Sequence, residues 1–111
     1  MAQTVSENTS TTNGTTAVDL VPVPTGSNVH VPGAGMVHNL DTVAAIVTLH
    51  KITSAGTFLL CVVTLQAGDS LRWEAGELSA CNATDERWQV DLAGAVTTNE
   101  LRFTISYLIV S

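Results

Sequence analysis

An all-β chain is predicted here: a single antiparallel β-sandwich, jelly-roll-like, with an extended N-terminal arm. Three observations lead to it. Runs rich in Val, Ile, Thr and aromatic residues recur about every ten residues, with Gly, Asn, Asp and Pro between them, the punctuation of strands and turns. Several runs alternate apolar and polar side chains with period two, and none carries the 3.6-residue period of an amphipathic helix. A chain of 111 residues is one domain, because at this size roughly 65% of the unfolded surface is buried and little remains for a second core.

Residues 1–16 hold almost no large apolar side chains and are dominated by Thr, Ser and Asn. Such a segment buries too little to offset the entropy of ordering its backbone. It is therefore expected to be a flexible or partner-ordered arm, with 17–111 the sandwich domain. The sandwich opens at Asp19-Leu-Val-Pro-Val-Pro24. Pro22 and Pro24 are two apart, so the donors they lack fall on one side of a strand, which suits an edge position only. Thr25-Gly26-Ser27 then turns the chain, residues 28–31 make a short strand, and Pro32-Gly-Ala-Gly35 is a further break.

Residues 43–52 read as a long strand with Val43, Ala45, Val47 and Leu49 on one face. Ser54-Ala55-Gly56 closes a hairpin. Residues 58–65, Phe-Leu-Leu-Cys-Val-Val-Thr-Leu, are apolar on both faces, as a central strand would be. These two strands are expected to form the heart of the sheet, and any face left uncovered would be a contact surface for another subunit. Beyond the turn at Gln66-Ala-Gly-Asp69, Leu71 and Trp73 alternate with Arg72 and Glu74, and residues 78–81 give another short strand. Trp88, Val90 and Leu92 then point inward against Arg87, Gln89 and Asp91. The chain closes with Leu101, Phe103, Ile105, Tyr107 and Ile109 on one face of a final strand. Each such side chain contributes about 1.5 to 3 kcal/mol when fully buried.

Charged residues make up 13% of the chain, and the net charge is -6 with Lys51, Arg72, Arg87 and Arg102 as the Lys and Arg complement. That leaves no basic stripe for a phosphate backbone, so direct nucleic-acid binding is not expected. No apolar run approaches the roughly 18 residues of a membrane span. The N-terminus lacks the basic start and apolar stretch of a secretory signal. A soluble protein is the expectation.

Little chemistry is announced. His30, His38 and His50 are too far apart in sequence for a local metal clip, and neither metal nor cofactor is expected. Glu74, Glu77, Asp85 and Glu86 stand in or beside turns, where carboxylates are solvated and not paired across a sugar. No phosphate-cradling loop or nucleophile elbow is present, so the chain is expected not to be an enzyme. Trp73 and Trp88 fall on inward positions of alternating strands and read as core. Cys61 and Cys81 fit neither zinc nor Cys-x-x-Cys spacing. They are either reduced thiols or candidates for a disulfide, within one subunit or between two.

The order of features resembles that of small β-sandwich proteins encoded among the head and neck genes of tailed bacteriophages, the capsid decoration, collar and head-to-tail accessory subunits. The residues that carry the likeness are Asp19-Leu-Val-Pro-Val-Pro-Thr-Gly26, Asn39-Leu-Asp-Thr-Val-Ala-Ala-Ile-Val-Thr-Leu49, Thr64-Leu-Gln-Ala-Gly-Asp-Ser-Leu71 and the ending Leu92-Ala-Gly-Ala-Val followed by Leu101 to Tyr107. The resemblance implies a virion protein, assembled in the host cytoplasm, that reinforces a capsid or neck through subunit contacts. Its implied partners are copies of itself in a trimer or ring, and major capsid, portal or neck proteins. It transfers no catalytic residue.

The expected mechanism is adhesive: edge strands and the arm reach across to adjacent subunits. The candidate contact residues are Leu20, Val21, Pro22, Val23 and Pro24, with loops at 75–77 and 93–99 as secondary contacts. A ligand- or carbohydrate-binding module at a fibre or spike tip is the competing class. That class requires an exposed Trp73 or Trp88.

Overall fold

The computed structural model describes residues 3–12, 16–82, 85–93 and 101–111. It contains eight strands: β1 (Gln3–Thr12), β2 (Val18–Val21), β3 (Val29–Asn39), β4 (Ala45–Thr53), β5 (Gly56–Leu65), β6 (Ser70–Trp73), β7 (Arg87–Leu92) and β8 (Leu101–Val110). These pair antiparallel into two four-stranded sheets ordered β1-β8-β3-β6 and β2-β7-β4-β5. Apart from the β4–β5 hairpin, each successive strand crosses to the other sheet. This is the double Greek key of a jelly roll, so the fold class read from the sequence is the one observed.

Period-two alternation places the core between the sheets. Leu101, Phe103, Ile105 and Tyr107 of β8 are buried against Trp88, Val90 and Leu92 of β7 and Ala45, Val47 and Leu49 of β4, the faces expected from the pattern. The strand at the start of the sandwich occupies an edge, as the proline spacing requires: β2 pairs with β7 and ends at Val21, before Pro22.

Three stretches depart from the sequence reading. Pro32-Gly-Ala-Gly35 is not a break, because β3 runs through it from Val29 to Asn39. The ladder with β8 slips between Pro32 and Gly35, and a bulge is one of the few places where a sheet accepts proline. The glycines provide room. A Cβ on Gly35 would stand 2.5 Å from Cζ2 of Trp73 and 2.7 Å from the Thr104 carbonyl oxygen, and one on Gly33 would lie 2.6 Å from the Ser106 hydroxyl. Glycine thus lets the Trp73 indole sit directly against the β3 backbone.

The second departure is at 78–81, where the expected strand shrinks to one bridge. Cys81 N donates to His30 O at 2.8 Å and His30 N to Cys81 O at 3.1 Å. The third lies within the segment 1–16. Residues Gln3 to Thr12 form β1, paired one to one with β8 of the same chain from Gln3↔Val110 to Thr12↔Leu101. Thr and Val suit a pleated surface, and the ladder satisfies the backbone although the side chains bury little. Two side-chain contacts add to it. Thr9 and Thr104 hydroxyls meet at 2.9 Å, and Asn8 Nδ2 donates to the carbonyls of Asp19 and Leu20, each at 2.9 Å.

Both sheets are tied together at one corner by Asn39, which is fully buried. Its Nδ2 donates to the carbonyls of Val43 (2.9 Å), Leu65 (3.0 Å) and Gln66 (3.3 Å), and its Oδ1 accepts from Asp41 N at 2.9 Å. Its backbone bonds to the β5–β6 turn as well, giving N–H to Asp69 O at 2.9 Å and taking Gly68 N–H at 3.0 Å. Gly68 has φ 83°, a turn conformation that L side chains resist. The two segments Asn39-Leu-Asp-Thr42 and Gly68-Asp-Ser-Leu71 therefore form a single clasp. A buried amide of this kind is stable only because its donors and acceptor are paired.

Candidate functional site

The sandwich has four edges, and they are not equivalent. On one flank β2 is four residues long, is followed by Pro22 and Pro24, and has two of its carbonyls taken by Asn8. Beside it β1 is ten residues long but made of Gln, Thr, Ser, Asn and Glu with one Val. On the other flank β6 is four residues long. Its neighbour β5 is ten residues long and reads Gly-Thr-Phe-Leu-Leu-Cys-Val-Val-Thr-Leu.

Among the described residues, β5 pairs with β4 on one side and carries no strand on the other. The chain itself enforces this. A tight turn at Gly56 (φ 133°) lays β5 back along β4, and the next turn, closed by Asp69 N→Gln66 O at 2.9 Å and held by Asn39, delivers the chain to the opposite sheet. Phe58, Leu59, Leu60 and Val62 are 54%, 61%, 49% and 55% exposed. The expectation that 58–65 is a central strand is thus corrected: its apolar character is real, and its place is the rim.

Register fixes which face carries the exposed groups. Val62 pairs with Thr48 and Leu59 with His50, across from the buried row Ala45, Val47 and Leu49, so Leu59 and Val62 share the outer face with Ile46. The ladder slips between Leu49 and His50 and leaves Leu60 without an opposite number. Behind the strand, a groove of about 300 Å³ opens between β5 and β6, lined by Leu49, Leu60, Cys61, Leu71, Trp73 and Leu78, with Arg72 and Glu77 at its polar margin. An apolar surface therefore wraps around the rim from the outer face into the gap between the sheets. No charged side chain occurs from residue 52 to residue 68.

The contact residues read from sequence sit elsewhere. Leu20 and Val21 are fully buried and Pro24 is nearly so, while Pro22 and Val23 are half-buried. They close the core on the opposite flank, because inward positions of a strand whose outer edge is blocked have nowhere else to pack. Of the secondary loops, Ala75, Gly76 and Glu77 are exposed, and residues 94–99 lie outside the described residues.

Both cysteines are free. Cys61, in β5, pairs with Leu49 of β4, whereas Cys81 is bridged to His30 at the start of β3. Burial pushes the Cys61 thiol up, and pushes Cys81 up to about 11 against a lowering by Lys51. Each histidine holds a structural partner: His30 Nδ1 donates to Pro22 O at 2.8 Å, His38 Nδ1 meets the Ser70 hydroxyl at 2.6 Å, and His50 Nε2 meets Gln89 Oε1 at 3.2 Å. Gln89 passes the row on to Asp19 at 2.8 Å. Glu74, Glu77 and Asp85 are exposed, and Glu86 accepts Asn82 N–H at 2.7 Å.

Trp73 and Trp88 are 5% and 4% exposed. Trp88 Nε1 donates to Ser79 O at 2.8 Å, and Lys51 Nζ stands 5.9 Å from its ring. Neither indole presents a face to solvent, which a sugar-stacking platform needs.

No family model and no curated relative matches the chain. Solved structures similar in shape include two from assemblies. One is from Bacillus endospore appendages, described as a family of disulfide-linked pili, with 18% identity, a TM-score of 0.47, and coverage of 96% of this chain and 86% of the other. The other is the capsid asymmetric unit of cyanophage Pam1, with 15% identity, a TM-score of 0.43, and coverage of 96% of this chain and 83% of the other.

Proposed function

We propose that this protein is a non-enzymatic structural subunit that docks onto other protein surfaces, and that its setting is a bacteriophage virion, as a decoration or head/neck accessory protein. The observation that carries the docking role is the open edge of β5: ten residues, uncharged, with four large apolar side chains about half exposed. A long, bare, apolar edge is a liability for a solitary protein and an asset for one that is paired. Natural sheets blunt such edges with Lys, Pro or very short strands, and the β2 and β6 edges of this chain are blunted by length and β2 by prolines as well.

The virion setting rests on the order of sequence features, from the Pro-spaced opening strand to the Asn39 and Gly68-Asp69 segments, which fold into one clasp. Neither tryptophan is available to stack on a ligand, so the structural role is preferred to a carbohydrate-binding tip.

Sedimentation velocity of the purified chain over a wide concentration range tests the docking role, with an associated species heavier than 11.6 kDa expected. For the virion setting, mass spectrometry of gradient-purified particles from the phage that encodes the chain is expected to detect it at structural copy number. Its absence from such particles overturns that setting.

A further inference from the structure

We infer that the partner seated on β5 is β5 of a second copy, paired antiparallel about a two-fold axis that passes beside Cys61, so that two β2-β7-β4-β5 sheets fuse into one eight-stranded sheet. This deepens the docking reading above and rests on it. The strand has the attributes that self-pairing needs. Among the described residues no strand covers its outer edge, and antiparallel pairing of ten residues adds roughly ten backbone hydrogen bonds, the complement of a standard protein interface. It is nearly symmetric in chemistry about its middle, with Phe58, Leu59 and Leu60 on one side of Cys61 and Val62 and Val63 on the other, so each copy offers the other an apolar strip along the shared edge.

Electrostatics select a second copy over a charged partner. The chain carries a net charge of -6, and two such molecules repel wherever carboxylates face each other. The stretch 52–68 has no charge of either sign, so it is where two copies meet without that penalty. A basic partner would be drawn instead to the carboxylates, and none of those lies on β5. Of the usual safeguards against edge pairing, β5 carries the bulge at Leu60 and lacks lysine and proline.

The axis position makes the pairing measurable. Cys61 stands next to the midpoint of β5, and directly opposed residues of an antiparallel pair have Cα atoms about 4.5 to 5.5 Å apart, inside the roughly 4.4 to 6.8 Å that a disulfide spans. Mild oxidation with copper phenanthroline, which takes two electrons and two protons from a pair of thiols, therefore reports on the axis.

The experiment is sedimentation velocity and non-reducing electrophoresis on wild type, Leu59→Lys, Val62→Lys and Cys61→Ser, with circular dichroism to confirm the β fold of each. A dimer is expected for wild type. With the axis at Cys61, positions 62 and 59 lie one and two residues from it, so a lysine at either puts a charge into the uncharged strip that the two copies share, and raises the dissociation constant on the order of 100-fold. Wild type is expected to cross-link on oxidation and Cys61→Ser not to do so. An assembly that forms but ignores both lysine substitutions overturns β5 self-pairing and leaves the docking reading standing. A dimer that both lysines disrupt but that does not cross-link overturns the two-fold axis at Cys61. A chain that stays monomeric at every concentration overturns this inference, whereas docking onto a different protein is overturned by its absence from the purified particles.

Discussion

β8 and β5 are both ten-residue strands rich in apolar side chains, and they end in opposite environments. β8 lies between β1 and β3, paired on both sides, with alternate residues Leu101, Phe103, Ile105 and Tyr107 buried and Arg102 exposed. β5 is the more hydrophobic, has no polar alternation through its middle, and is largely exposed. Burial follows a strand's place in the sheet order, whereas continuous hydrophobicity says only that both faces want cover. In β8 the chain supplies that cover itself; in β5 Phe58, Leu59, Leu60 and Val62 stay exposed.

The sharpest way to break this comparison is to hollow out the buried member. Phe103→Ala removes a fully buried ring at the centre of the core and is expected to cost about 4 kcal/mol in chemical denaturation. A loss below about 1 kcal/mol would mean the β8 face is not the core. Asn39→Ala comes next. It strands the carbonyls of Val43, Leu65 and Gln66 and the amide of Asp41, for an expected loss of about 3 kcal/mol, checked by the same urea titration. Gly35→Ala forces a methyl against the Trp73 ring and Thr104 carbonyl. A cost of about 2 kcal/mol is expected, with a red shift in tryptophan emission.

A smaller effect is expected from pH. The Cys81 thiol, raised by burial from near 9 to about 11 in the folded chain, must ionise more readily when unfolded. Its contribution to stability is therefore complete below about pH 9 and is lost as pH rises through about 11. Urea midpoints at pH 8 and pH 11 are expected to lie closer together in Cys81→Ala than in wild type; an identical gap in both would exclude this thiol. Smallest of all, Val62→Thr on the exposed face of β5 is expected to leave monomer stability within about 0.5 kcal/mol. A large destabilisation there would place β5 in the core after all.

Much of the fold was legible. The alternation in residues 87–92 and 101–109 gave both the strands and their inward faces, and the Pro22/Pro24 spacing gave an edge. What was not legible has physical causes. Gly33 and Gly35 looked like a break because glycine permits turning and close packing alike, and only the position of Trp73 and Ser106 across the fold tells the two apart. Asn39 gave no sign of burial, since its partners are backbone carbonyls more than twenty residues away in the chain as well as nearby. β5 was visible as a continuous apolar run, but its exposure depends on the turn at 66–69 leaving the sheet, a topological fact that hydrophobicity does not encode. The burial of Leu20, Val21 and Pro24 was hidden for the reverse reason: an edge strand with blocked carbonyls can still bury its side chains.

The clasp at Asn39 has a mechanical side. It grips the carbonyls of Leu65 and Gln66 where β5 ends, so tension entering the molecule through that strand is handed to the facing sheet at the corner and loads several bonds in shear. Peeling from the Gly56 hairpin meets no such anchor and proceeds one rung at a time. A neighbour that pulls toward the clasped end therefore tugs on a tether, and one that pulls toward the hairpin opens a zip.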